Sequence, residues 1–387
     1  RATARPRSTS SSRTTAGRSS LVAGMLDKGT ARLSAQEIAG YFDSIGGRIS
    51  FEAGRSTVFG NATVLRDDFA KAADIFADCF TEPSFPTDEF AKVKTLALGA
   101  IQRRRDDPQQ EILEFFFDNL PADSPYHVLQ GGKKETVETL TVDDLRDFHD
   151  RFFVPENMLV TVFGDVDPDE ALKIVAEKFG KLPKAAGFEP ISFDRGNAIP
   201  KTIDRHLKTG KPTGMIMLGY PGVSVREEKD YAAMVLLDAI TSGYSYPGGW
   251  LHNELRGEGL VYYVHALQIT GPAPGYFVVI AQAAPDKLGE VVDRIRKNLD
   301  RAKSGDISDE EFDRCKEMVI ALHAQQNTTI GSQAQQAALD DLYGLGYNYD
   351  KTFDDRIGAV SKDDVIAVAK KYLNNHVLVT SSPETDR

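Results

Sequence analysis

The sequence predicts an α+β protein made of two tandem copies of one structural unit, and three observations support this class. The chain has 387 residues, which is too long for one ordinary hydrophobic core and suits two domains. Helical and strand-like apolar patterns alternate along both halves of the chain. Four landmarks of the first half also recur, in the same order, about 220 residues later.

The repeat consists of short landmarks in amphipathic segments. The matched landmarks are Glu89-Phe90 with Glu311-Phe312, Lys94 with Lys316, Asp143-Asp144 with Asp363-Asp364, and Phe69 with Leu288. Their separations are 222, 222, 220 and 219 residues. Chance similarity between amphipathic helices is the alternative explanation, and the shared order argues against it.

In the first half of the chain, the apolar pattern predicts helices that are separated by strands and by turns at glycine. Gly46-Gly47 ends one helix, and Thr87 caps another whose first turn holds Asp88 and Glu89. Expected helices cover residues 19–26, 34–45, 67–80, 87–101, 141–153 and 168–179, and expected strands cover 49–65, with a turn near 54, and 158–163.

A proline-rich stretch with mixed charge separates the two halves and predicts an inter-domain linker. The second half then repeats the alternation of helices and strands. Ser308 with Glu311 forms a capping box, and Ser361 caps a later helix. Expected helices cover residues 228–241, 308–324 and 362–373, and expected strands cover 215–220, 260–264, 276–282 and 377–380.

The predicted boundaries are a tail at 1–20, a first domain at 21–185, a linker at 186–211 and a second domain at 212–387. The tail is rich in Arg, Ser and Thr and predicts disorder; a remnant of a transit peptide and a gene-model artefact are the alternatives. Because the second copy opens with a strand whose counterpart would precede residue 1, the first domain is expected to lack its opening strand.

Composition excludes several classes of function. A net charge of −11 and a pI near 5.2 argue against a nucleic-acid partner. No apolar run approaches the ~20 residues that span a bilayer, so no transmembrane segment is expected. Cys79 and Cys315 lie far apart, and no two of the seven histidines are three or four residues apart, so no metal site is expected. His149, between two aspartates, is expected on a helix surface.

One stretch, from Gly248 to Ala266, holds the candidate functional residues. It predicts a short helical turn followed by a strand, with Arg256 ending the turn and Tyr262 entering the strand. A guanidinium fork and a phenol so placed can reach one cleft. A surface arginine and a half-buried tyrosine are the alternative, and His252 and His265 are expected to have packing or surface roles.

This stretch resembles the substrate-side segment of the insulinase-like zinc metallopeptidases, of the pitrilysin or mitochondrial processing peptidase type. In that family the pattern is a Leu–Arg pair that ends a helix, followed by Gly-Leu-x-Tyr, and Leu255, Arg256, Gly259, Leu260 and Tyr262 match it. The resemblance extends over nearly the whole chain. It implies two peptidase-like domains, each a mixed, largely antiparallel sheet with helices packed on one face.

Catalytic members of the family carry HxxEH, in which two histidines bind zinc and the glutamate is the general base, and a further glutamate follows about 76 residues later. Residues 25–30 of this chain match the tail of that motif. The resemblance then puts Ser20 and Gly24 at the two histidine positions, Ala23 at the base and Ala100 at the third ligand. It implies that this copy holds no catalytic zinc and is inactive alone.

The resemblance therefore implies a non-catalytic subunit that binds an unfolded peptide and supplies Arg256 and Tyr262 to the site of an HxxEH partner, which holds the zinc. A structural scaffold like the core proteins of the respiratory cytochrome complex, and the inactive half of a longer fused peptidase, are the alternatives. The bacterial periplasm or cytoplasm is the favoured compartment, with the mitochondrion as another option.

Overall fold

The structure is a computed structural model that describes residues 2–4, 16–124, 126–180, 182, 188 and 196–383. The helices, in chain order, are α1 Arg18–Met25, α2 Ala35–Ser44, α3 Phe69–Thr81, α4 Thr87–Asp106, α5 Pro108–Asn119, α6 Lys134–Val137, α7 Val142–Phe152, α8 Pro168–Phe179, α9 Glu228–Ser242, α10 Gly249–Leu251, α11 Leu288–Ser304, α12 Asp309–Gln326, α13 Ile330–Leu342, α14 Phe353–Ala359 and α15 Lys362–Tyr372. The strands are β1 Ala2–Ala4, β2 Arg48–Ala53, β3 Val58–Thr63, β4 Met158–Val160, β5 Ile203–Lys208, β6 Gly214–Pro221, β7 Val261–Ile269, β8 Tyr276–Ala283 and β9 Val377–Ser382.

The chain forms two compact units, each assembled from three separate segments. Unit 1 comprises Arg1–Gln102, Val128–Ile191 and Asn327–Asp350, and unit 2 comprises Arg103–His127, Ser192–Gln326 and Lys351–Arg387. Among the described residues, no helix combines the length and the apolar character that crossing a bilayer requires.

Unit 1 contains a four-stranded sheet in the order β2-β3-β1-β4, with every neighbouring pair antiparallel. The apolar side chains of α1 and α3 pack with those of β2 and β3 in one core. At its centre the Phe80 ring lies 5.4 Å from both Phe51 and Phe76, measured between ring centroids. Burial of these rings on one side of the sheet fixes the position of the helices against it.

The strand β1 corrects the expectation that the first domain lacks its opening strand. It lies between β3 and β4, and it pairs with Val58 to Gly60 on one side and with Met158 to Val160 on the other. Three residues are too few for a period-2 signal, so the sequence pattern missed them. The predicted tail at 1–20 is therefore wrong at residues 2–4 and at 18–20, which belong to α1, while residues 1 and 5–15 lie outside the described residues.

His149 is buried and not on the surface, which corrects a second expectation. Its Nε2 lies 2.8 Å from the carbonyl oxygen of Phe80, and its ring stacks on Phe153 at a centroid distance of 4.5 Å. The acidic neighbours suggested exposure, but His149 follows Leu145 by four residues and therefore shares its apolar face.

Unit 2 contains a five-stranded sheet in the order β5-β9-β6-β8-β7, in which the β5–β9 pair is parallel and the others are antiparallel. The central strand β6 is buried on both faces. Ile216 and Leu218 pack into the core with α9 and α11, whereas Gly219 faces α5. A Cβ on Gly219 would overlap the Phe116 ring, so only glycine allows α5 to pack this closely.

The two units are copies of one α+β design, which confirms the predicted fold class. The order β2-β3-β1-β4 in unit 1 recurs as β7-β8-β6-β9 in unit 2. Lys94 Nζ donates to the carbonyls of Glu138 and Leu140 at 2.7 and 2.9 Å, and Lys316 Nζ donates to those of Gly358 and Val360 at 2.7 and 2.8 Å. In each unit most of the core helices cover one face of the sheet, and in unit 2 α5 packs against the other face.

The structure divides the chain differently from the predicted boundaries of 21–185, 186–211 and 212–387. The strand β5 lies inside the predicted linker, where its charged side chains hid the strand pattern, although residues 186–187 and 189–195 lie outside the described residues. The helix α5 belongs to unit 2 although it lies in the first half of the sequence, and α13 belongs to unit 1 although it lies in the second half. A single boundary along the sequence therefore cannot separate the two units.

Candidate functional site

The candidate site lies in unit 2, where the chain passes from α10 into β7. The α-helical turn α10 continues as a π-helical turn, His252–Arg256. The amide of Gly257 donates to the carbonyl of His252 at 3.1 Å, five residues back. Gly259, with φ of +71°, then reverses the chain into the strand. π-Helical turns are rare and are often found at functional sites.

Arg256 ends this turn, which is the position that the sequence predicts, and its side chain is exposed. Its Nη1 donates to the carbonyl oxygen of Val261 at 3.2 Å. That carbonyl belongs to the peptide group that joins Val261 to Tyr262. The guanidinium is therefore held beside the backbone of the second predicted residue, and the rest of its donor fork faces outward.

Tyr262 lies in β7, an edge strand of the sheet, at a β-bulge. Val261 pairs with Ala283 and Tyr263 pairs with Gln282, so Tyr262 is the extra residue between them. Its side chain is 58% exposed. A bulge redirects a side chain away from the regular alternation of the strand. The structure thus presents Arg256 and Tyr262 to solvent at one edge of unit 2.

Two glutamates on either side of Arg256 anchor this segment to α11. Arg294 Nη1 lies 2.7 Å from Glu254 Oε1, and Nη2 lies 3.0 Å from Glu258 Oε2. Asn298, which is fully buried, donates to Glu254 Oε2 at 2.8 Å. Burial raises the pKa of Glu254, but the hydrogen bonds from Arg294 and Asn298 outweigh it and hold the pKa below its ordinary value.

The beginning of the segment is anchored by Trp250. Its indole Nε1 donates to Glu311 Oε1 at 2.7 Å, and the guanidinium of Arg301 lies 4.1 Å from the centre of its ring. Trp250 itself is buried. The turn that carries Arg256 is therefore fixed to both α11 and α12.

Two histidines, for which the sequence suggested only packing or surface roles, lie together beside the arginine. The ring centroids of His252 and His265 are 6.1 Å apart, and the ring planes are inclined by 64°. Burial, and then the charge of Arg256, lower the pKa of His252; burial, and then His252, lower that of His265. Both rings are therefore predominantly neutral at pH 7. Their separation of thirteen residues gave no recognisable sequence signal.

The four degenerate positions, which the resemblance aligns with the zinc ligands and the general base, lie on α1 and α4 in unit 1. Ser20 Oγ donates to the carbonyl of Gln130 at 3.2 Å, and Ala23 is buried. A Cβ on Gly24 would lie 3.1 Å from Val93 Cγ1 of α4, and Ala100 is exposed two turns further along that helix. These residues offer no imidazole, carboxylate or thiolate, so the four positions do not fit a zinc site.

The remaining metal-ligand types are dispersed over the described part of the chain. No group of three His, Cys, Asp or Glu side chains among the described residues lies close enough to hold a metal ion. Cys79 and Cys315 are buried and unpaired with each other. Burial raises the pKa of Cys79 to about 12 and that of Cys315 to about 11, so neither is a reactive thiolate at pH 7.

Comparison with known proteins identifies one family in both halves of the chain. Residues 8–125 match the family described as insulinase (peptidase family M16), and residues 139–319, which include Arg256 and Tyr262, match the peptidase M16 inactive domain. An uncharacterized zinc protease of Streptomyces coelicolor is 27% identical over 361 residues, covering 90% of this chain and 76% of the relative.

Solved structures share the fold. The peptidase M16 inactive domain from Pseudomonas fluorescens superposes with a TM-score of 0.89 at 22% identity, covering all of this chain and 92% of the other. A chain of complex III from Candida albicans superposes with a TM-score of 0.81 at 16% identity, covering all of this chain and 91% of that one. The chain belongs to the insulinase family of peptidases, family M16.

Proposed function

We propose that this chain is a non-catalytic subunit or half of an insulinase-like metalloendopeptidase. It binds an unfolded peptide substrate and supplies Arg256 and Tyr262 to the active site of a partner that carries HxxEH and zinc. The observation that carries this proposal is the presentation of these two side chains. Both are exposed, yet the turn that bears them is fixed by buried partners.

The chemistry of the pair suits a peptide carbonyl. Arg256 offers a planar set of donors, of which one N–H is used by Val261, and Tyr262 offers a hydroxyl donor. Such groups bind the carbonyl oxygen of a peptide, or stabilise the oxyanion that forms when a partner's site attacks it. A donor aimed at a developing oxyanion contributes about 3 kcal/mol to transition-state stabilisation.

The residues at the degenerate positions support a role without catalysis in this chain. Ser20, Ala23, Gly24 and Ala100 provide neither zinc ligands nor a general base. In this proposal the purified chain holds no stoichiometric zinc and cleaves no peptide alone, and the zinc resides in the partner.

The proposal is tested by capture followed by kinetics. A pull-down from the native source should recover an HxxEH peptidase subunit. In the reconstituted pair, Arg256→Ala should lower kcat/KM by about 100-fold or more, and Tyr262→Phe should act in the same direction because it removes only the hydroxyl. Arg256→Lys should restore only part of the kcat/KM that is lost in Arg256→Ala, because an ammonium lacks the planar fork of donors of a guanidinium.

Matched controls separate this effect from a loss of stability. Arg314→Ala removes an exposed arginine from α12, and Tyr347→Phe removes the hydroxyl of another exposed tyrosine. Neither control should change turnover, and none of the variants should shift the melting temperature by more than about 2 °C. Unchanged turnover in both Arg256→Ala and Tyr262→Phe would contradict the proposal.

A structural scaffold is the second candidate function. The similarity in fold to a chain of complex III from Candida albicans favours it, at a TM-score of 0.81. A scaffold subunit has no use for an exposed Arg–Tyr pair. If the chain is a scaffold, Arg256→Ala and Tyr262→Phe should have no effect on function, and the pull-down should yield an assembly without an HxxEH protein. If this sequence is the inactive half of a fused peptidase, the HxxEH domain will lie in the same polypeptide.

A further inference from the structure

Two imidazoles and a guanidinium lie together at the edge of unit 2 where β7 begins. The ring centroids of His252 and His265 are 6.1 Å apart. Arg256 ends the turn that His252 begins, and its positive charge acts on the His252 ring. The two histidines are half-buried and the arginine is exposed, so a ligand in solvent can reach all three. These three side chains form the basic cluster.

The ring of His265 is oriented by the loop that precedes α10. One of its nitrogens donates a hydrogen bond to the main-chain carbonyl of Tyr244. Only one nitrogen of a neutral imidazole carries a proton, so the other nitrogen of His265 has a free lone pair. A proton can therefore be added to that nitrogen without breaking the bond to Tyr244. The added N–H is then a donor for a ligand.

The surroundings of the two imidazoles favour their uncharged forms. Burial is the larger cause of the lowered pKa of each ring; the charge of Arg256 adds to it at His252, and His252 adds to it at His265. The basic cluster thus combines one permanent cation with two groups that become cations in acid. Like charges repel one another, so an anion that joined the cluster would relieve this repulsion.

The charged groups of the adjoining elements are engaged in other contacts. The strand β7 and its neighbour β8 contain no acidic residue, and burial raises the pKa of Tyr263, so this phenol stays neutral. The groups with partners of their own are Glu254 and Glu258, which pair with Arg294 of α11; Asp238 of α9, which accepts from Ser242; and Glu311 of α12, which accepts from Trp250, whose ring Arg301 covers.

We propose that the basic cluster binds the carboxylate of an aspartate or glutamate side chain in the peptide substrate, next to the residue held by Arg256 and Tyr262. This inference rests on the proposed function, because the ligand belongs to the same bound peptide. The guanidinium has five N–H donors, of which Val261 takes one. The others can pair with a carboxylate in the charge-assisted way that is strong in proteins.

The two histidines make this binding dependent on pH. Protonated His252 and His265 each donate to the carboxylate, and the carboxylate in turn stabilises both imidazolium rings. Because linkage is reciprocal, a proton that binds more readily in the presence of the carboxylate also strengthens its binding. The affinity for an acidic peptide should therefore rise as the pH falls, whereas the affinity for a neutral peptide should not.

The experiment measures the binding of two unfolded peptides to the full chain by fluorescence anisotropy. The probes are labelled repeats of Gly-Ser-Leu-Glu-Ala and of Gly-Ser-Leu-Gln-Ala, which offer the acid or its amide in every register. At physiological ionic strength the Glu repeat should bind at least about tenfold more tightly near pH 5.5 than near pH 7.5, since glutamate, with a pKa of about 4.3, stays ionised at both values. The Gln repeat should change by less than about twofold.

Histidine variants test whether the basic cluster causes this gain. The double variant His252→Gln with His265→Gln keeps amide donors that cannot be protonated, and it should reduce the gain to below about threefold. The matched control is His206→Gln, which changes a half-buried histidine in β5 at the opposite edge of the same sheet and should retain the full gain. The comparison of the two repeats on the parent chain needs no variant, so it stands even if a substitution lowers stability.

Two results would overturn the inference alone. The Gln repeat could show the same gain in acid as the Glu repeat, or the gain could survive in full in the double variant, while Arg256→Ala still weakens the binding of both repeats. If neither repeat binds, or if Arg256→Ala binds both as tightly as the parent chain, the proposed role of Arg256 fails and this inference fails with it.

Discussion

The same step of the repeat, from a helix into an edge strand, is built in two different ways in the two units. In unit 1, α2 is a regular ten-residue helix with a Ser34–Glu37 capping box, and it turns through Gly46 into β2. In unit 2 the helix α10 has three residues and passes into a π-helical turn, and β7 begins with a bulge. The irregular version carries Arg256 and Tyr262. Departures from regular geometry are expected at functional sites. The irregular segment of unit 2 is stabilised by its ion pairs and hydrogen bonds to α11 and α12.

The two units thus share the framework of the repeat and differ at the edges of their sheets. Lys94 connects α4 to the loop before α7, and Lys316 on α12 makes the equivalent contacts in unit 2. Each lysine also lies near the aromatic ring of the residue one turn before it, which is Phe90 or Phe312. The two helix–strand steps, by contrast, differ in helix type and in the pairing of the strand that follows.

The largest expected effect concerns the equivalent lysines. Lys94→Met and Lys316→Met each remove an ammonium that donates to two carbonyls, and each should lower the free energy of unfolding by about 2 kcal/mol. Chemical denaturation of the two variants measures this. Costs that differ by more than about 1 kcal/mol would contradict the equivalence of the two frameworks.

The second prediction concerns the anchor of the irregular step. Arg294→Ala removes the cation that pairs with Glu254 and Glu258 and leaves Glu254 with its hydrogen bond from Asn298, so hydrogen exchange of residues 252–262 should accelerate by at least about tenfold while exchange in β2 stays unchanged. The control is Lys287→Ala, which removes from the turn before α11 a cation that pairs with Glu290. Equal exchange in the two variants would mean that the segment does not depend on Arg294.

The third prediction concerns the regular step. Ser34→Ala removes the side chain that accepts from the amide of Glu37, and it should cost about 1 kcal/mol of stability. The loss should be retained when Arg294→Ala is added, with additivity within about 0.5 kcal/mol, because the two sites share no partner. Coupling beyond that value would show that the two steps are not independent.

The smallest effect concerns pH. Burial lowers the pKa of His149 below its ordinary value of 6.5, although the Phe80 carbonyl and Asp150 act in the opposite sense. As the pH falls below about 6.5 the unfolded chain binds a proton that the native chain resists, so stability is present above this pH and is lost below it. At the matching position unit 2 has Ala369, which is fully buried.

His149→Ala should therefore make the loss of stability between about pH 6.5 and pH 5 shallower, even though the cavity lowers stability at pH 7. The other histidines with a lowered pKa, His252, His265 and His376, contribute equally to both proteins. Melting curves across this range measure the slope. A slope identical to that of the parent chain would remove His149 as a source of acid sensitivity.

The framework was predictable from sequence because its signals are local. The helix expected over residues 168–179 has those bounds in the structure, and Asp167 caps it as a side-chain acceptor. The offset between Lys94 and Lys316 indicated the repeat, and in the structure each ammonium donates to two carbonyls at equivalent positions of its own copy. Residues Arg256 and Tyr262 were located through a motif, and the structure adds their exposure and their anchors.

The remaining features depend on contacts distant in sequence. Neither the bulge at Tyr262 nor the His252–His265 pair has a local signal, because both depend on how β7 meets its neighbours. The three residues of β1 form a strand only because β3 and β4 flank them. The helix α5, by contrast, was detectable: Asp107 is its cap and Pro108 its first residue, which is a strong start signal.

Each unit includes one helix from the other half of the sequence, α13 in unit 1 and α5 in unit 2. This arrangement constrains how the chain can fold during synthesis. Unit 1 needs residues 327–350, so a ribosome must make most of the polypeptide before the first unit is complete. A cut within residues 186–211 would leave one fragment without the helix whose Ala334 carbonyl accepts from Thr161, and the other without the helix that covers Gly219. Neither half of the sequence therefore contains all the residues of one unit, and we expect neither half to reach its native state when it is expressed alone.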